Sequence, residues 1–274
     1  MDPLIVILAL PIGILIGLGA GIVGLTAWPI IVPLLFVIGG VPLHQALLSS
    51  LLVDLAIAIT LTVFYFRRSD VGIDTRFNAK LGLIAGIAAT ITVVIAFPLL
   101  EQYSDAFKGG SPFITLALGA VFLIQGLRLK ERNTNGANKE NKFSSLSTHQ
   151  KHILSYIFCV VIGFLTGAIA IGGAMNFVLV LVFLLGYPTY RAVGSAMVAT
   201  TIMLSMTVLT YLILLSFSIT TLSTVLLYIC GGVMSSYIAV KRAQRIPERK
   251  LRLLIGIVVI ATAIFASVQI YLLG

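Results

Sequence analysis

The sequence predicts an all-α membrane protein. The expected form is a polytopic helical bundle of two inverted-topology repeats with about 8–10 membrane segments, two of them short or half-spanning helices that follow glycine-rich breaks. Three observations predict it. The 274 residues are 59% hydrophobic and 10% charged, against about 25% charged in soluble domains. The apolar residues run continuously instead of alternating, which suits helices and not the strands of a barrel. The chain also matches itself without a gap when shifted by 146 residues. Gly17, Gly21, Gly40, Pro42, Ala46 and Ser49 then meet Gly163, Gly167, Gly186, Pro188, Ala192 and Ser195. Leucines align by chance in such a composition; glycines, prolines and serines at one fixed offset do so far less readily.

Ten apolar segments follow in order. The first half holds 3–24, 27–40, 44–66, 78–100 and 112–129; the second holds 153–170, 174–186, 191–215, 217–240 and 252–273. The opening MDPLIVILALPIGILIG lacks the basic stretch of a cleaved signal peptide and reads as the first membrane segment. Segments 27–40 and 174–186 are short. A helix of about 14 residues rises about 21 Å, less than the roughly 30 Å hydrocarbon core. Each short segment and its predecessor could form a hairpin ending near mid-membrane, or both could cross fully. Either path returns the chain to its starting side. The polar stretch 133–150, NTNGANKENKFSSLSTHQ, reads as a flexible connection. The organisation is therefore a first repeat over 1–130, a cytoplasmic linker over 131–151 and a second repeat over 152–274.

Charge gives the orientation. The net charge is +9, and every basic residue except Lys108 falls in one of four places. Arg67, Arg68, Arg76 and Lys80 follow the third segment. Arg128, Lys130, Arg132, Lys139, Lys142 and Lys151 border the linker. Arg191 opens the eighth segment. Lys241, Arg242, Arg245, Arg249, Lys250 and Arg252 precede the last. Alternating crossings put all four places on one face, which the positive-inside rule makes the cytoplasm. Both termini then lie outside the plasma (cell inner) membrane. Basic loops between apolar runs form no basic module, so nucleic acid is not an expected partner. Each half contains an odd number of crossings, so the second half starts from the opposite side. Inverted repeats of this kind occur in many secondary transporters, which bind substrate near the midplane where helices break.

The breaks fall at Gly21–Pro29 and Gly167–Asn176. Glycines let the backbone bend and let helices approach closely; Pro29 and Pro33 cannot donate backbone hydrogen bonds. Freed groups at such a depth must face protein, water or substrate. Short helices starting near Ala27 and Ala174 would direct N-terminal amides inward, which suits an anion. Thr26 and Asn176 add donors, and Trp28 either lines the cavity or packs. Gly17, Gly21, Gly163 and Gly167 also suit close helix packing. A second set follows Pro42 and Pro188: Ser49, Ser50 and Asp54 on one segment, Ser195, Thr200 and Thr201 on the other. Hydroxyls in membrane helices often bond back to their own backbone. Asp54 differs from them, being the only acidic residue deep in an apolar run, and an intramembrane carboxylate is a functional candidate by default. It either carries a coupling proton or shapes the cavity. The counterpart of Asp54 is Thr200, so such a role belongs to one half only.

Other chemistry has little to build on. Cys159 and Cys230 stand alone, and His149 and His152, at the end of the linker, have no third ligand nearby, so neither metal nor cofactor is expected. There is no nucleophile–base pair or HExxH motif for an intramembrane enzyme.

At the breaks the chain resembles the TauE/SafE family of sulfite exporters. Members show, twice per chain, a stretch of the form G-x3-G-x2-G-x-G-G-G, a Pro-containing apolar run, a Gly and an A-x-G-T-S-like patch. Here the copies read GAGIVGLTAWPIIVPLL with ALLSS, and GAIAIGGAMNFVLVL with AVGSA; GGVMSSYIAVKRAQRIPERKLRLL resembles the family's C-terminal end. Thr26 and Ala27 depart from the first glycine triplet, Ala174 from the second, and Leu48 and Ala196 from the patches. The resemblance implies transport of a small sulfur-containing anion such as sulfite, thiosulfate or an organosulfonate. It carries over Gly21, Gly24 and Ser49 in one half and Gly167, Gly172, Gly173 and Ser195 in the other. The expectation is a secondary transporter working by alternating access. The alternatives are a transporter or channel for another small anion or solute, and a membrane scaffold without transport. The candidate substrate-binding residues are Gly24, Thr26, Trp28, Ser49, Ser50, Gly172, Gly173, Asn176, Ser195 and Thr200. Asp54 is the proton-coupling candidate.

Overall fold

The computed structural model describes residues 3–67, 72–102, 147–170, 174–187, 189–215 and 219–242, with scattered positions between 113 and 127 and between 250 and 268. Segments 112–129 and 252–273 are thus covered only in part. Residues 131–146 of the linker, together with Gly172, Gly173 and Pro188, lie outside the described residues.

All regular structure among the described residues is helical. The long helices are α1 (Pro3–Val23), α3 (Leu43–Phe66), α4 (Thr75–Gln102), α5 (Thr148–Ile169), α7 (Thr189–Leu214) and α8 (Ile219–Arg242). Each contains a stretch long and apolar enough to cross a membrane, giving six candidate spans. The chain is accordingly a multi-pass membrane protein. In lipid every backbone N–H and C=O needs an internal partner, and a helix supplies nearly all of them. Large apolar side chains such as Ile7, Ile95 and Ile213 lie exposed on these helices, where a bilayer would cover them.

Two short helices interrupt the pattern. α2 (Trp28–Val32) continues as a π-helical turn over Pro33–Ile38, and α6 (Ala174–Leu179) continues likewise over Val180–Leu184. Both short helices were expected from the sequence; their widening into π-turns was not. A π-turn carries i→i+5 bonds and often sits at functional sites. Gly39 N–H donating to Leu34 C=O is one such bond.

The helices pack through small residues. α1 lies along α8, where a side chain added at Gly17 would collide with the Gly232 carbonyl and Ser235 Oγ. α5 lies along α4, where one added at Gly163 or Gly167 would strike the backbone of Ala85 or Ala89. Backbones this close gain dispersion contacts, the main source of helix association in lipid. α3 and α7 pack against each other in the middle of the described bundle and carry the short helices, α2 on α3 and α6 on α7.

Backbone details recur at a spacing of 146. Gly24 (φ 78) and Ala170 (φ 57) are both left-handed, as are Gly40 (φ 62) and Gly186 (φ 71). Gly24 N–H bonds to Ala20 C=O at 3.0 Å, and Ala170 N–H to Thr166 C=O at 2.9 Å. The Tyr65 hydroxyl donates to Gly21 C=O at 2.7 Å, and the Tyr211 hydroxyl to Gly167 C=O at 3.3 Å. Each tyrosine thus satisfies a carbonyl that the interrupted helix leaves free.

Candidate functional site

The first break ends α1 at Gly24. A positive φ favours glycine there, since a Cβ would be strained against the backbone. It would also come within 3.1 Å of Val178 Cγ2 and 3.2 Å of Met175 N, both on α6. Gly24 therefore brings the first break against the second short helix.

Three residues later the chain re-enters a helix, and Asp54 from α3 meets it. Asp54 Oδ2 accepts from Thr26 Oγ1 at 2.6 Å, and Oδ1 accepts from Ala27 N–H at 2.7 Å. Thr26 Oγ1 also lies 3.4 Å from Trp28 N–H as its acceptor. The carboxylate therefore occupies the N-terminal end of α2, where free amides and the helix dipole favour negative charge. Asp54 is 5% exposed, and among the described residues these are its only polar contacts and no basic side chain pairs with it.

Asp54 lines a small pocket with Ala20, Leu25, Ile57, Ala58, Ala174, Met197 and Thr200, of about 10 Å³, roughly the space of one water. α1, α3, α6 and α7 all contribute. Ala174 is the first residue of α6. Thr200 is 2% exposed, and its Oγ1 has no hydrogen-bond partner among the described residues. The polar groups the pocket offers are thus one carboxylate, already bonded, and one hydroxyl, not bonded.

The remaining candidates lie elsewhere. Ser49 donates to Gln45 C=O at 2.6 Å and Ser50 to Leu47 C=O at 2.8 Å, so both turn back on their own helix. Neither lines the pocket, and neither does Trp28, which is fully buried with Nε1 unpartnered among the described residues. Ser195 is fully buried, and its Oγ is likewise unpartnered among them. Asn176 is half-buried on α6. Pro29 sits at the start of α2, Pro33 opens the π-turn and Pro42 is the N-cap of α3.

Sequence reasoning did not single out Ile57, Ala58 or Met197. Helical spacing was the available signal: Ile57 and Ala58 lie three and four residues after Asp54, and Met197 three before Thr200, each on the same helix face. It also did not anticipate that the Ala27 amide would be taken by Asp54.

A family model described as "Sulfite exporter TauE/SafE" matches residues 7–266. No curated protein matches the chain.

Proposed function

The chain belongs to the TauE/SafE sulfite exporter family of membrane transporters, and from that premise we propose that it is a secondary carrier of a small sulfur-containing anion. Sulfite, thiosulfate and small organosulfonates share a compact oxyanion head; the pocket has room for about one water as it stands, so such a head enters as the halves part. The observation that carries the reading is the pocket itself, in which the start of α6, Thr200 of α7 and Asp54 of α3 come together.

In this reading the chain is two inverted repeats. Their support is the gapless match at 146 residues, the matched left-handed turns and the matched tyrosine-to-carbonyl bonds. The reciprocal packing of α1 on α8 and of α5 on α4 fits a two-fold relation. α2 and α6 with their π-turns do not cross: the 11 residues Trp28–Ile38 rise about 16 Å at the helical repeat. In this reading Gly24, Thr26 and Asn176 lie toward the midplane, and rocking of the halves exposes that region to each side in turn. Both termini face outward, and the linker and its basic residues face the cytoplasm.

Asp54 carries the coupling proton. A carboxylate and a bound oxyanion in one small pocket repel, and a proton arriving on Asp54 removes that repulsion as the substrate enters. The test is flux of sulfite, thiosulfate and a sulfonate in liposomes holding the purified protein, with and without an imposed pH gradient. Saturable transport driven by the gradient is expected, and an Asp54→Asn variant should lose the gradient dependence. No flux with any of the three anions would refute the substrate; unaltered gradient dependence in the variant would refute the role of Asp54.

A further inference from the structure

We propose that the two breaks are not equivalent, and that the transported anion is seated on one side only, against the start of α6, with the Thr200 hydroxyl donating to it. This rests on the carrier reading above and assigns the seat within it.

Asp54 is the twelfth residue of α3, and Thr200 is the twelfth of α7. The two side chains hold corresponding places, and both line the pocket. Their chemistry is opposite. In the first half a carboxylate fixed to the protein takes the N-terminal end of the short helix, accepting from Ala27 N–H and from Thr26. Those donors are engaged, and the fixed negative charge repels a second anion beside them. Asp54 is a tethered occupant of the first seat. In the second half the corresponding position carries Thr200, which brings a donor and no charge. Its hydroxyl is buried and has no partner among the described residues. A buried hydroxyl without a partner is costly, and a substrate oxygen would remove that cost. Ala174, where α6 begins, lies in the same pocket. The pocket now has room for about one water; an oxyanion entering as it widens meets a free donor and the favourable end of a helix, and Met197, Ile57 and Ala58 supply apolar walls. The one-sidedness also gives Asp54 a defined relation to substrate: it stands opposite the seat and does not bind the anion.

The experiment measures sulfite uptake into liposomes containing the full chain, as KM and kcat, for wild type, Thr200→Val and Thr200→Ser. Valine keeps the shape of threonine and removes the hydroxyl. A hydroxyl bond to a charged ligand predicts a rise in KM of about 10-fold to 100-fold, with kcat changed much less. Serine restores the donor and should restore KM to within a few-fold of wild type. Thr200→Ala, checked for a monodisperse peak, gives the same reading should the valine variant misfold. Wild-type KM in a folded valine or alanine variant overturns the inference and leaves the carrier assignment standing. A wild-type protein that moves no sulfur anion overturns the carrier assignment and this seat with it.

Discussion

Replacing Asp54 tests whether a buried carboxylate holds the first break together. In Asp54→Ala the Ala27 amide and the Thr26 hydroxyl both lose their acceptor. The amide cannot rotate to another partner, and a buried donor left unpaired costs about 1–3 kcal/mol. The hydroxyl can turn toward a neighbouring acceptor, so its loss is set nearer the roughly 0.6 kcal/mol average for polar contacts between membrane helices. The sum is about 1.5–3.5 kcal/mol of lost stability. Asp54→Asn is milder. Its amide oxygen still accepts from Ala27, and its NH2 can donate to Thr26 Oγ1, leaving a loss of about 0.5–1 kcal/mol as charge-assisted bonds become neutral ones. Reversible unfolding in mixed detergent micelles measures both. Alanine within 0.5 kcal/mol of wild type, or asparagine worse than alanine, would refute the reasoning, because either result means that the carboxylate is not satisfying two donors.

The backbone at the breaks gives further expectations. Gly24→Ala should lose about 1–2 kcal/mol from its left-handed φ; wild-type stability in an unfolding titration would show that the turn is relaxed. Ala170→Gly should gain about 0.5–1 kcal/mol, the relief of a similar strain less the greater freedom of glycine in the unfolded chain, and a lower melting temperature would count against it. Gly17→Leu should prevent α1 from seating on α8, read as loss of folded protein by fluorescence-detected size exclusion; a normal yield and elution would contradict the packing. Reporter fusions after Lys139 and after Lys250 should sit on one face of the membrane, and opposite faces would undo the inverted arrangement.

The sequence could be read for some of this and not for the rest, for physical reasons. Helix positions followed from hydropathy because lipid admits little besides helices. The expected 44–66 and 191–215 differ from Leu43–Phe66 and Thr189–Leu214 by a residue or two. The breaks were visible as glycine and proline clusters, and Asp54 was visible as an acid with no business in hydrocarbon. Its partners were not: Thr26 and Ala27 lie 28 and 27 residues away in the chain, and only the packing of α2 on α3 joins them. The state of Ser49 and Ser50 was equally hidden, because a hydroxyl that bonds to its own helix and one that faces a ligand look alike in sequence. The π-turns left no readable sign either, since one extra residue per turn hardly disturbs a continuous apolar run.

Why such a chain tolerates an acid at this depth follows from the break itself. An interrupted helix exposes amides at its restart and carbonyls at the end before it, and neither can be left bare in hydrocarbon. In the first half Tyr65 covers the carbonyl of Gly21, while Asp54 covers the amide of Ala27. In the second half Tyr211 covers the carbonyl of Gly167, but the position of Asp54 is held by Thr200, which as a hydroxyl donates without adding charge. The two breaks thus match in their tyrosine-to-carbonyl bonds and differ at the residues that line the pocket. A second carboxylate at Thr200 would close the proposed seat to an anion, and a threonine at Asp54 would leave the Ala27 amide without its charged acceptor. On the proposed seat, this asymmetry lets one break be held by the protein and leaves the other for the ligand.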